Sequence, residues 1–284
     1  MAKKNNYALI SMADNNTTIP IYVLLKSFLE HNKWFKGDIV IIQVDEFDAE
    51  ATEALNSLYN KIVYYRPDHG PYLKAKKQFD DGNKALLNRY TLYWPHMLKF
   101  EAFGMEQYDR VVFLDADMMV VGGIKDAFFN DYEFCLSSDD ISIFSLDEPK
   151  QWKGDTYFNS GFFSVKEPKK VWRDMLITLI TNYEIKEENL GTGIPWYTGA
   201  CPEQDSINRL VKGRNVMDYG TKYNALQWYY QDTFKRKLTK EKIVHYFGIQ
   251  KPWRCIWKDY SYIHGLWYSI AESSGLIELR EPEK

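Results

Sequence analysis

The sequence predicts an α/β fold, with one domain built around a parallel sheet. In the first third of the chain, strand-like apolar segments alternate with amphipathic helical segments, an order typical of parallel strands joined by helical crossovers. The 284 residues are 45% hydrophobic and 16% aromatic, which is enough for one large core. No Pro- or Gly-rich linker, internal repeat or low-complexity tract divides the chain. A sheet of this kind places ligand-binding loops at the carboxyl ends of its strands.

Each predicted element follows from the local spacing of apolar residues. Strands are expected where apolar residues run together or alternate, and helices where they recur about every 3.6 positions. Pro168 marks the start of one helix, because proline is well tolerated in a first helical turn. A long insertion is expected at residues 139–156. In chain order, the predicted elements are strand 7–11, helix 19–31, strand 38–44, helix 48–59, strand 61–65, helix 86–104, strand 111–121, strand 133–136, strand 158–165, helix 168–183, helix 203–211 and strand 242–247.

Two carboxylates interrupt the apolar run from Val111 to Val121. Asp115 and Asp117 are two positions apart, and in an extended strand such residues point to the same side while Ala116 faces away. Paired carboxylates at the end of a buried strand repel each other unless a cation neutralises them. They could instead be solvated acids at a strand end, but the apolar residues on both sides favour a position within the folded core. We therefore expect a divalent metal ion at this pair, which could also hold a phosphate.

A single histidine near the end of the chain is the second candidate. His245 could be a structural histidine or a ligand, but its neighbours favour a binding role. Gly248 allows a phosphate to approach the backbone closely, and Lys251 adds a positive charge. An imidazole together with two carboxylates is a ligand set that suits manganese, since calcium and magnesium prefer oxygen ligands.

Charge gives little reason to expect a polyanionic partner. The formal net charge is −3, so a nucleic acid is not an expected partner. A local basic cluster could be a solvated surface or a docking surface. An aromatic-rich segment near the carboxyl terminus could form a sugar-stacking wall or pack against the domain. The basic cluster comprises Lys74, Lys76, Lys77, Lys84 and Arg89, and the aromatic segment contains Trp253, Trp257, Tyr260, Tyr262, Trp267 and Tyr268.

Cysteine usage and apolar run lengths bear on the compartment. Cys135, Cys201 and Cys255 are widely separated, odd in number and outside any Cys-x-x-Cys motif, which favours a reducing compartment. The first apolar run is too short for a signal peptide, and no run approaches the roughly 20 residues of a membrane helix. We therefore expect a cytoplasmic protein without an integral membrane segment, with peripheral docking on a membrane as an alternative.

A series of motifs, in the same order along the chain, resembles the retaining glycosyltransferases of family 8. The family carries a uridine-binding strand end, a lysine before an Asp-x-Asp pair, an Asn-Ser-Gly strand, a helix that starts with Asp-Gln, and a His-Phe-x-Gly-x-x-Lys-Pro-Trp block. The similar segments here are Ser11-Met12-Ala13-Asp14-Asn15, Lys99 with Asp115-Ala116-Asp117, Phe158-Asn159-Ser160-Gly161-Phe162, Glu203-Gln204-Asp205-Ser206-Ile207-Asn208, and His245 to Trp253.

The resemblance implies a GT-A fold, in which a Rossmann-like, nucleotide-binding mixed sheet is flanked by helices in one domain. Residues 1–125 would bind the donor and residues 126–284 the acceptor. It further implies transfer of glucose or galactose from a UDP-sugar to a hydroxyl group of a glycan, glycolipid or glycoprotein. A Mn²⁺ ion, or Mg²⁺ as a substitute, would bridge the diphosphate and bind Asp115, Asp117 and His245. The implied donor-binding residues are Ser11, Ala13, Asn15, Lys99, Asp115, Ala116, Asp117, Asn159, Ser160, Glu203, Gln204, His245, Gly248 and Lys251.

The same resemblance implies catalytic roles for Glu203, Gln204 and Lys251. Lys251 would stabilise the leaving diphosphate, while Asn159 and Glu203 would hydrogen-bond sugar hydroxyls. Gln204 occupies the position of a nucleophile, but an amide is a poor nucleophile. We therefore favour same-face attack, with the Gln204 carbonyl oxygen stabilising oxocarbenium-like charge, over double displacement. Glu203 replaces the usual Asp, which leaves the donor sugar open.

Three other functions remain open from the sequence. One is glycogenin-like self-glucosylation, for which Tyr229 and Tyr230 are candidate acceptors. Another is a catalytically silent scaffold that binds nucleotide sugars, although the intact metal-site residues argue against it. The last is a transferase that modifies nucleic acid and docks through the basic cluster. Residues 139–156 could form a lid over the donor, and a homodimer is a further open expectation.

Overall fold

The fold combines a large mixed sheet, helices on both of its faces and a smaller second sheet. The computed structural model describes residues 6–84, 92–138, 150–151, 157–184, 201–227, 237–248, 251–254 and 262–276. The strands are β1 Tyr7–Ala13, β2 Asp38–Gln43, β3 Ile62–Tyr65, β4 Arg110–Leu114, β5 Met118–Val120, β6 Phe134–Ser138, β7 Lys150–Gln151, β8 Phe158–Lys166, β9 Val216–Asp218, β10 Ala225–Leu226 and β11 Ile243–His245.

The helices cover both faces of the large sheet and the edge of the small one. They are α1 Thr18–His31, α2 Ala49–Leu58, α3 Gly70–Gly82, α4 Lys125–Phe128, α5 Lys170–Thr181, α6 Pro202–Val211 and α7 Tyr262–Glu272, together with 3₁₀ helices at Asn15–Thr17, Trp94–Gly104, Thr221–Tyr223 and Pro252–Arg254. Asp48 caps α2, since its side chain accepts a hydrogen bond from the Ala51 amide at 2.8 Å.

Strand pairing is parallel in one half of the large sheet and mixed in the other. Within the described residues, the strand order is β3-β2-β1-β4-β8-β6-β9-β7. The pairs among β3, β2, β1 and β4 are parallel, whereas β8 runs antiparallel to both β4 and β6. The predicted mixed α/β architecture is therefore confirmed. Because β8 is reversed, its amino end lies at the same edge as the carboxyl ends of β1 and β4.

The alternation of side chains along the central strands gives the sheet two apolar faces. Ile10 and Phe113 pack with the helices α3 and α5 and the 3₁₀ helix Trp94–Gly104 on one face. Leu9 and Leu114 pack with α1 and α2 on the other face. A third cluster joins the small sheet to α7, with Trp267 fully buried at its centre. Burial on both faces explains the near-continuous apolar strands in the sequence.

Two helical segments differ from the sequence prediction. Helix α3 is absent from the prediction, because its buried stripe is narrow, with Tyr72, Ala75 and Phe79, and lysines dominate the rest. The predicted helix 86–104 begins at residues outside the described part of the chain, and its described part, Trp94–Gly104, is a 3₁₀ helix. Eight of these eleven residues are buried, so tertiary packing overrides intrinsic helical propensity.

Most described residues of the basic cluster and of the aromatic segment make ion pairs or packing contacts within the fold. Lys76 and Lys77 pair with Asp80 and Asp81 one turn later, so the cluster carries compensating acidic charge; Arg89 lies outside the described residues. Trp267 belongs to the core, whereas Tyr262 is 53% exposed. Of the other predicted segments, Tyr229, Tyr230, Cys255, Trp257 and Tyr260 lie outside the described residues, as does the predicted lid apart from residues 150–151.

Candidate active site

The carboxyl ends of β1, β2 and β4 open into a cleft of about 960 Å³. This is the position at which parallel sheets bind ligands. All of the predicted donor-binding residues line it except Ser11 and Asn15. The predicted residues that line the cleft are Ala13, Lys99, Asp115, Ala116, Asp117, Asn159, Ser160, Glu203, Gln204, His245, Gly248 and Lys251.

Ser11 and Asn15 do not line the cleft, and their side chains hydrogen-bond to neighbouring backbone carbonyl groups instead. The Ser11 side chain is fully buried and donates a hydrogen bond through Oγ to the Leu114 carbonyl at 2.7 Å, which ties β1 to β4. Asn15 is exposed, and its side-chain amide donates to the Glu46 carbonyl at 2.8 Å. In this structure, both residues connect the strand ends rather than face the cleft.

Asp115 and Asp117 lie in a turn, not in one continuous strand. The predicted strand 111–121 is divided into β4, in the large sheet, and β5, in the small sheet. The Met118 amide donates to the Asp115 carbonyl at 3.1 Å, which closes the turn between them. The expectation that an extended backbone aligns the two carboxylates is therefore wrong. They converge because the chain passes from one sheet to the other at this turn.

Pairing in the small sheet brings His245 to the same turn. Strand β11 runs antiparallel to β5, with His245 opposite Met118. One ligand atom from each of Asp115, Asp117 and His245 can be chosen so that all three lie within 4.8 Å of one another. The three side chains that the sequence proposes as metal ligands thus meet in space.

The hydrogen bonding of His245 suits a metal ligand. Its Nδ1 lies 2.7 Å from Oδ1 of Asn224 and must donate, because the Asn224 oxygen can only accept. In the neutral ring, Nε2 then carries a lone pair, and it faces Oδ1 of Asp117 at 3.2 Å. That buried oxygen has no hydrogen-bond partner among the described residues. Two lone pairs directed at each other repel, and a cation between them would relieve this repulsion, so these residues fit a metal ion.

Each carboxylate also has a lysine partner. Lys99 places Nζ 3.1 Å from Asp115 and 3.2 Å from Oγ of Ser160. Lys251 donates to Oδ2 of Asp117. Burial alone would raise the pKa of Asp117, but the charge and hydrogen bond of Lys251, together with the neighbouring His245 ring, outweigh it and hold the pKa well below its ordinary value. Asp117 is therefore ionised at neutral pH and ready to bind a cation.

The other wall of the cleft comes from the amino ends of β8 and α6. Gln204 accepts a hydrogen bond from the Ser160 amide at 2.9 Å, and it also interacts with the Tyr157 hydroxyl. Asn159 accepts from the Gly161 amide at 2.8 Å. Glu203 lies beside them with an 11% exposed side chain, 4.0 Å from Nδ1 of His96. This wall offers amide and carboxylate groups of the kind that bind hydroxyl groups.

Gly161 allows this wall to approach the metal-ligand residues. A Cβ atom at position 161 would lie 2.6 Å from Cε of Met118 and 2.9 Å from both Oδ1 of Asn159 and Cε1 of His245. The Gly161 carbonyl also accepts a hydrogen bond from the Asp115 amide at 2.8 Å. A side chain at 161 would therefore displace the strand that holds Asp115 or the ring of His245.

Several cleft residues were not proposed as donor-binding residues from the sequence, although Met12, Asp14, Phe247 and Trp253 lie within segments that carry the family resemblance. Asp14, Asn16 and Thr17 follow β1, and Val44 follows β2, so the rule that ligands bind at strand ends could have identified them. Tyr93 and His96 precede Lys99 by six and three positions; the predicted α-helix would align His96 with Lys99, but only a 3₁₀ helix aligns all three. The remaining missed lining residues are Met12, Pro20, Leu92, Pro95, Cys201, Phe247 and Trp253.

Among the described residues, no helix combines the length and the apolar character needed to cross a bilayer.

Two curated proteins are similar to this chain in sequence. The chain is 25% identical over 240 residues to glycogenin of Komagataella phaffii, a match that covers 76% of this chain and 50% of the relative. It is 27% identical over 173 residues to inositol phosphorylceramide glucuronosyltransferase 1 of Arabidopsis thaliana, covering 57% of this chain and 29% of that protein. The chain thus spans half or less of the length of these curated relatives.

Solved structures share the fold at low sequence identity. The galactosyltransferase LgtC, in complex with donor and acceptor sugar analogues, matches with a TM-score of 0.62 at 15% identity, covering 96% of this chain and 98% of LgtC. The glycosyltransferase GlyE of Streptococcus pneumoniae matches with a TM-score of 0.60 at 17% identity, covering 96% of this chain and 62% of GlyE. These likenesses establish the GT-A type of fold.

The family model described as glycosyl transferase family 8 matches residues 5–256, a span that includes Asp115, Asp117 and His245 and every residue of the opposite wall. With nearly the whole chain matched and the family's ordered motifs gathered in one cleft, the chain belongs to glycosyltransferase family 8.

Proposed function

We propose that this protein transfers a hexosyl group, glucose or galactose, from a UDP-sugar to a hydroxyl group of a carbohydrate, glycolipid or glycoprotein acceptor. The transfer retains the anomeric configuration and depends on a divalent metal, of which Mn²⁺ suits the ligands best. The observation that carries the proposal is the convergence of Asp115, Asp117 and His245 in a cleft at the carboxyl edge of the sheet.

The charged groups of the cleft suit a diphosphate leaving group. When bound, a metal ion at the three ligands supplies positive charge to the diphosphate as its negative charge grows. Lys251, beside Asp117, is in position to turn from this carboxylate to a phosphate oxygen and to stabilise the same charge. Gly248 has a φ of 80°, a conformation that favours glycine, and it leaves the backbone open to a phosphate.

The opposite wall suits the donor sugar. Asn159 and Glu203 offer an amide and a carboxylate to sugar hydroxyls. Lys99 is buried between Asp115 and Ser160, so it orients the metal-ligand carboxylate next to the sugar site. Hydrogen bonds from backbone amides hold Asn159 and Gln204 in place, and such fixed groups orient a substrate without a further loss of mobility.

We favour same-face attack with Gln204 beside the reacting carbon. An amide oxygen is a weak nucleophile but can stabilise positive charge on an oxocarbenium-like centre. LgtC has been crystallised as an active-site Gln→Glu variant, which supports an active-site glutamine in that protein. Double displacement would require a covalent sugar adduct on Gln204. Mass spectrometry of the protein, stopped during turnover, would detect such an adduct and contradict the same-face route.

The relative glycogenin keeps a second function open, which is self-glucosylation. Its name describes a protein that covers this chain only in part, and both candidate tyrosines, Tyr229 and Tyr230, lie outside the described residues. Intact-mass measurement after incubation with UDP-glucose and Mn²⁺ tests it. A hexose on either tyrosine would establish self-modification. An unchanged mass would mean that the acceptor is a separate molecule.

The main test is a panel of nucleotide sugars assayed for Mn²⁺-dependent donor hydrolysis. We expect turnover with UDP-glucose or UDP-galactose, and a loss of about a hundredfold or more in Asp117→Asn, because the variant keeps the side-chain shape but removes a charged metal ligand. Asp131→Asn is the matched control, since Asp131 is fully exposed and lies outside the cleft. Equal turnover in wild type and Asp117→Asn would contradict metal-dependent catalysis. No turnover with any donor, in a folded protein that binds UDP, would instead favour a catalytically silent scaffold.

A further inference from the structure

The start of the 3₁₀ helix Trp94–Gly104 places three polar side chains in one row along the cleft. A 3₁₀ helix has three residues per turn, so side chains three positions apart lie above one another. Tyr93, His96 and Lys99 have this spacing, and all three line the cleft. The His96 amide donates to the Tyr93 carbonyl at 3.0 Å, which extends the i to i+3 pattern to Tyr93. The rings of Tyr93 and His96 meet edge to face at 5.0 Å.

This row descends from the mouth of the cleft to its floor. Tyr93 is 53% exposed, the side chain of His96 is 52% exposed, and that of Lys99 is only 4% exposed. At the floor, Lys99 contacts Asp115 and Ser160. Burial, followed by the charges of Asp14 and Asp45, raises the pKa of Tyr93, and these acids follow β1 and β2. His96 therefore lies between the end of the cleft formed by β1 and β2 and the metal-ligand floor.

His96 faces Glu203 across the cleft, but the two side chains are too far apart to hydrogen-bond directly. Both groups can therefore bind a ligand. Nδ1 of His96 is 4.0 Å from Oε1 of Glu203, which is too long for a direct hydrogen bond. The described residues donate no hydrogen bond to the Glu203 carboxylate, although its side chain is only 11% exposed. A carboxylate that lines a cleft with little exposure, and without a donor from the protein, can accept a hydrogen bond from a ligand.

One hydroxyl group satisfies both side chains. An oxygen placed about 2.8 Å from both atoms can accept from the imidazole N–H and donate its own proton to the carboxylate. The diphosphate of a nucleotide sugar, like a carboxylate, has no proton to donate at neutral pH and would be repelled by Glu203. The chemistry of the pair therefore selects a neutral, hydroxylated ligand.

We propose that His96 and Glu203 together bind one hydroxyl group of the donor sugar, which makes His96 a residue that determines donor specificity. The inference rests on the proposed function, because it requires a nucleotide-sugar donor in this cleft. The residues beside Glu203 indicate that the hydroxyl group belongs to the donor sugar rather than to the acceptor. Gln204 and Asn159 lie on the same wall, opposite the metal-ligand cluster.

The first test compares the binding of UDP and UDP-hexose by calorimetry at a fixed Mn²⁺ concentration. In His96→Ala we expect the Kd of UDP to stay within about twofold, and the Kd of the preferred UDP-hexose to rise about five- to tenfold, as expected for one lost hydrogen bond. His96→Asn should recover most of the affinity, because its amide nitrogen can replace Nδ1 as a donor. His31→Ala is the matched control, since His31 is exposed at the end of α1.

The second test identifies the hydroxyl with a series of UDP-deoxyhexoses. Wild type should bind one member of the series about five- to tenfold more weakly than the parent donor, and His96→Ala should discriminate less between that member and the parent, because only the Glu203 contact remains. Glu203→Gln should reduce discrimination at the same carbon. A residue with a purely structural role would weaken all members alike.

The outcomes separate this inference from the proposed function. If His96→Ala binds UDP-hexose as wild type does, or loses UDP affinity to the same extent, the sugar contact is absent although the function stands. If His96 variants change only the KM of the acceptor, the row belongs to the acceptor site and the inference is overturned. If folded wild type binds UDP but gains nothing from any hexose, the proposed donor itself is wrong.

Discussion

Lys251 donates a hydrogen bond through Nζ to Oδ2 of Asp117, whose other oxygen faces Nε2 of His245. The lysine thus supplies, from within the chain, positive charge that a bound metal ion would otherwise supply. A metal ion that binds Asp117 must compete with this ammonium group. A diphosphate, in turn, offers Lys251 a new partner. We therefore expect metal binding and nucleotide binding to be coupled through the position of this side chain.

Lys251→Met should bind Mn²⁺ more tightly than wild type in the absence of nucleotide. The variant keeps most of the side-chain length but removes the competing charge. Loss of one hydrogen bond to a charged group corresponds to a change of about tenfold in the Kd of Mn²⁺. Titration of free Mn²⁺ by electron paramagnetic resonance measures this directly. With UDP present, the order should reverse, because the variant cannot contact the diphosphate. Lys240→Met, at an exposed position, is the control. Weaker Mn²⁺ binding by Lys251→Met without nucleotide would show that the lysine does not compete.

Asn224→Ala should weaken Mn²⁺ binding although Asn224 is not itself a proposed metal ligand. Its oxygen holds the proton on Nδ1 of His245 at 2.7 Å and so leaves Nε2 free to bind. Loss of such a supporting contact lowers metal affinity by about 10- to 100-fold. The same Mn²⁺ titration detects the loss, with Asn182→Ala at the end of α5 as the control. Wild-type affinity in Asn224→Ala would mean that packing alone orients the ring.

Local sequence patterns were sufficient for much of the fold. Strands β1, β2 and β8 and helices α1 and α5 have long apolar runs or strong periodicity, and they fall within a few residues of their predicted positions. Such elements bury one or both faces, so their patterns carry the structural information. Strands of two or three residues, such as β7 and β10, carry no pattern of their own. They form only because neighbouring strands offer free backbone groups.

The residue types of the candidate site could be predicted from the sequence, but their arrangement in space could not. Asp115, Asp117 and His245 were proposed from residue chemistry, and the structure brings them together. The turn between β4 and β5 was not foreseen, because an apolar run shows no sign of where a chain leaves one sheet for another. His96 was not proposed from the sequence, although an α-helical period would also place it on the face of Lys99, because its approach to Glu203 depends on tertiary packing.

The thiol of Cys135 should make the protein sensitive to alkaline pH. Burial raises the pKa of Cys135 to about 11 from an ordinary value of 9.0. The unfolded chain therefore loses this proton before the folded protein does. The stabilisation is complete below about pH 9 and falls as the pH rises towards 11, by about 2 to 3 kcal/mol in total. Urea unfolding at a series of pH values should show a shallower decline for Cys135→Ala than for Cys201→Ala, whose thiol lines the cleft. Equal slopes would mean that Cys135 ionises as freely in the folded state as in the unfolded chain.

Gly161→Ala should damage the metal site more than its small size suggests. The added methyl group would lie 2.6 Å from Cε of Met118 and 2.9 Å from Cε1 of His245. Met118 is flexible, but the ring of His245 is held by Asn224, so relief requires movement of a metal ligand or of β8. Overpacking of this kind lowers the free energy of unfolding by about 1 to 3 kcal/mol. We expect a loss of that size by urea unfolding, together with at least tenfold weaker Mn²⁺ binding.

Gly82→Ala separates this steric effect from the general effect of replacing a glycine. Gly82 ends helix α3, and a Cβ atom there meets nothing within 4 Å. The substitution should leave Mn²⁺ binding unchanged and stabilise the protein by up to about 1 kcal/mol, because alanine restricts the unfolded chain. If Gly161→Ala behaved like Gly82→Ala in both measurements, β8 would have room to move away from His245. The close approach of the two walls would then not be needed to hold the metal ligands in place.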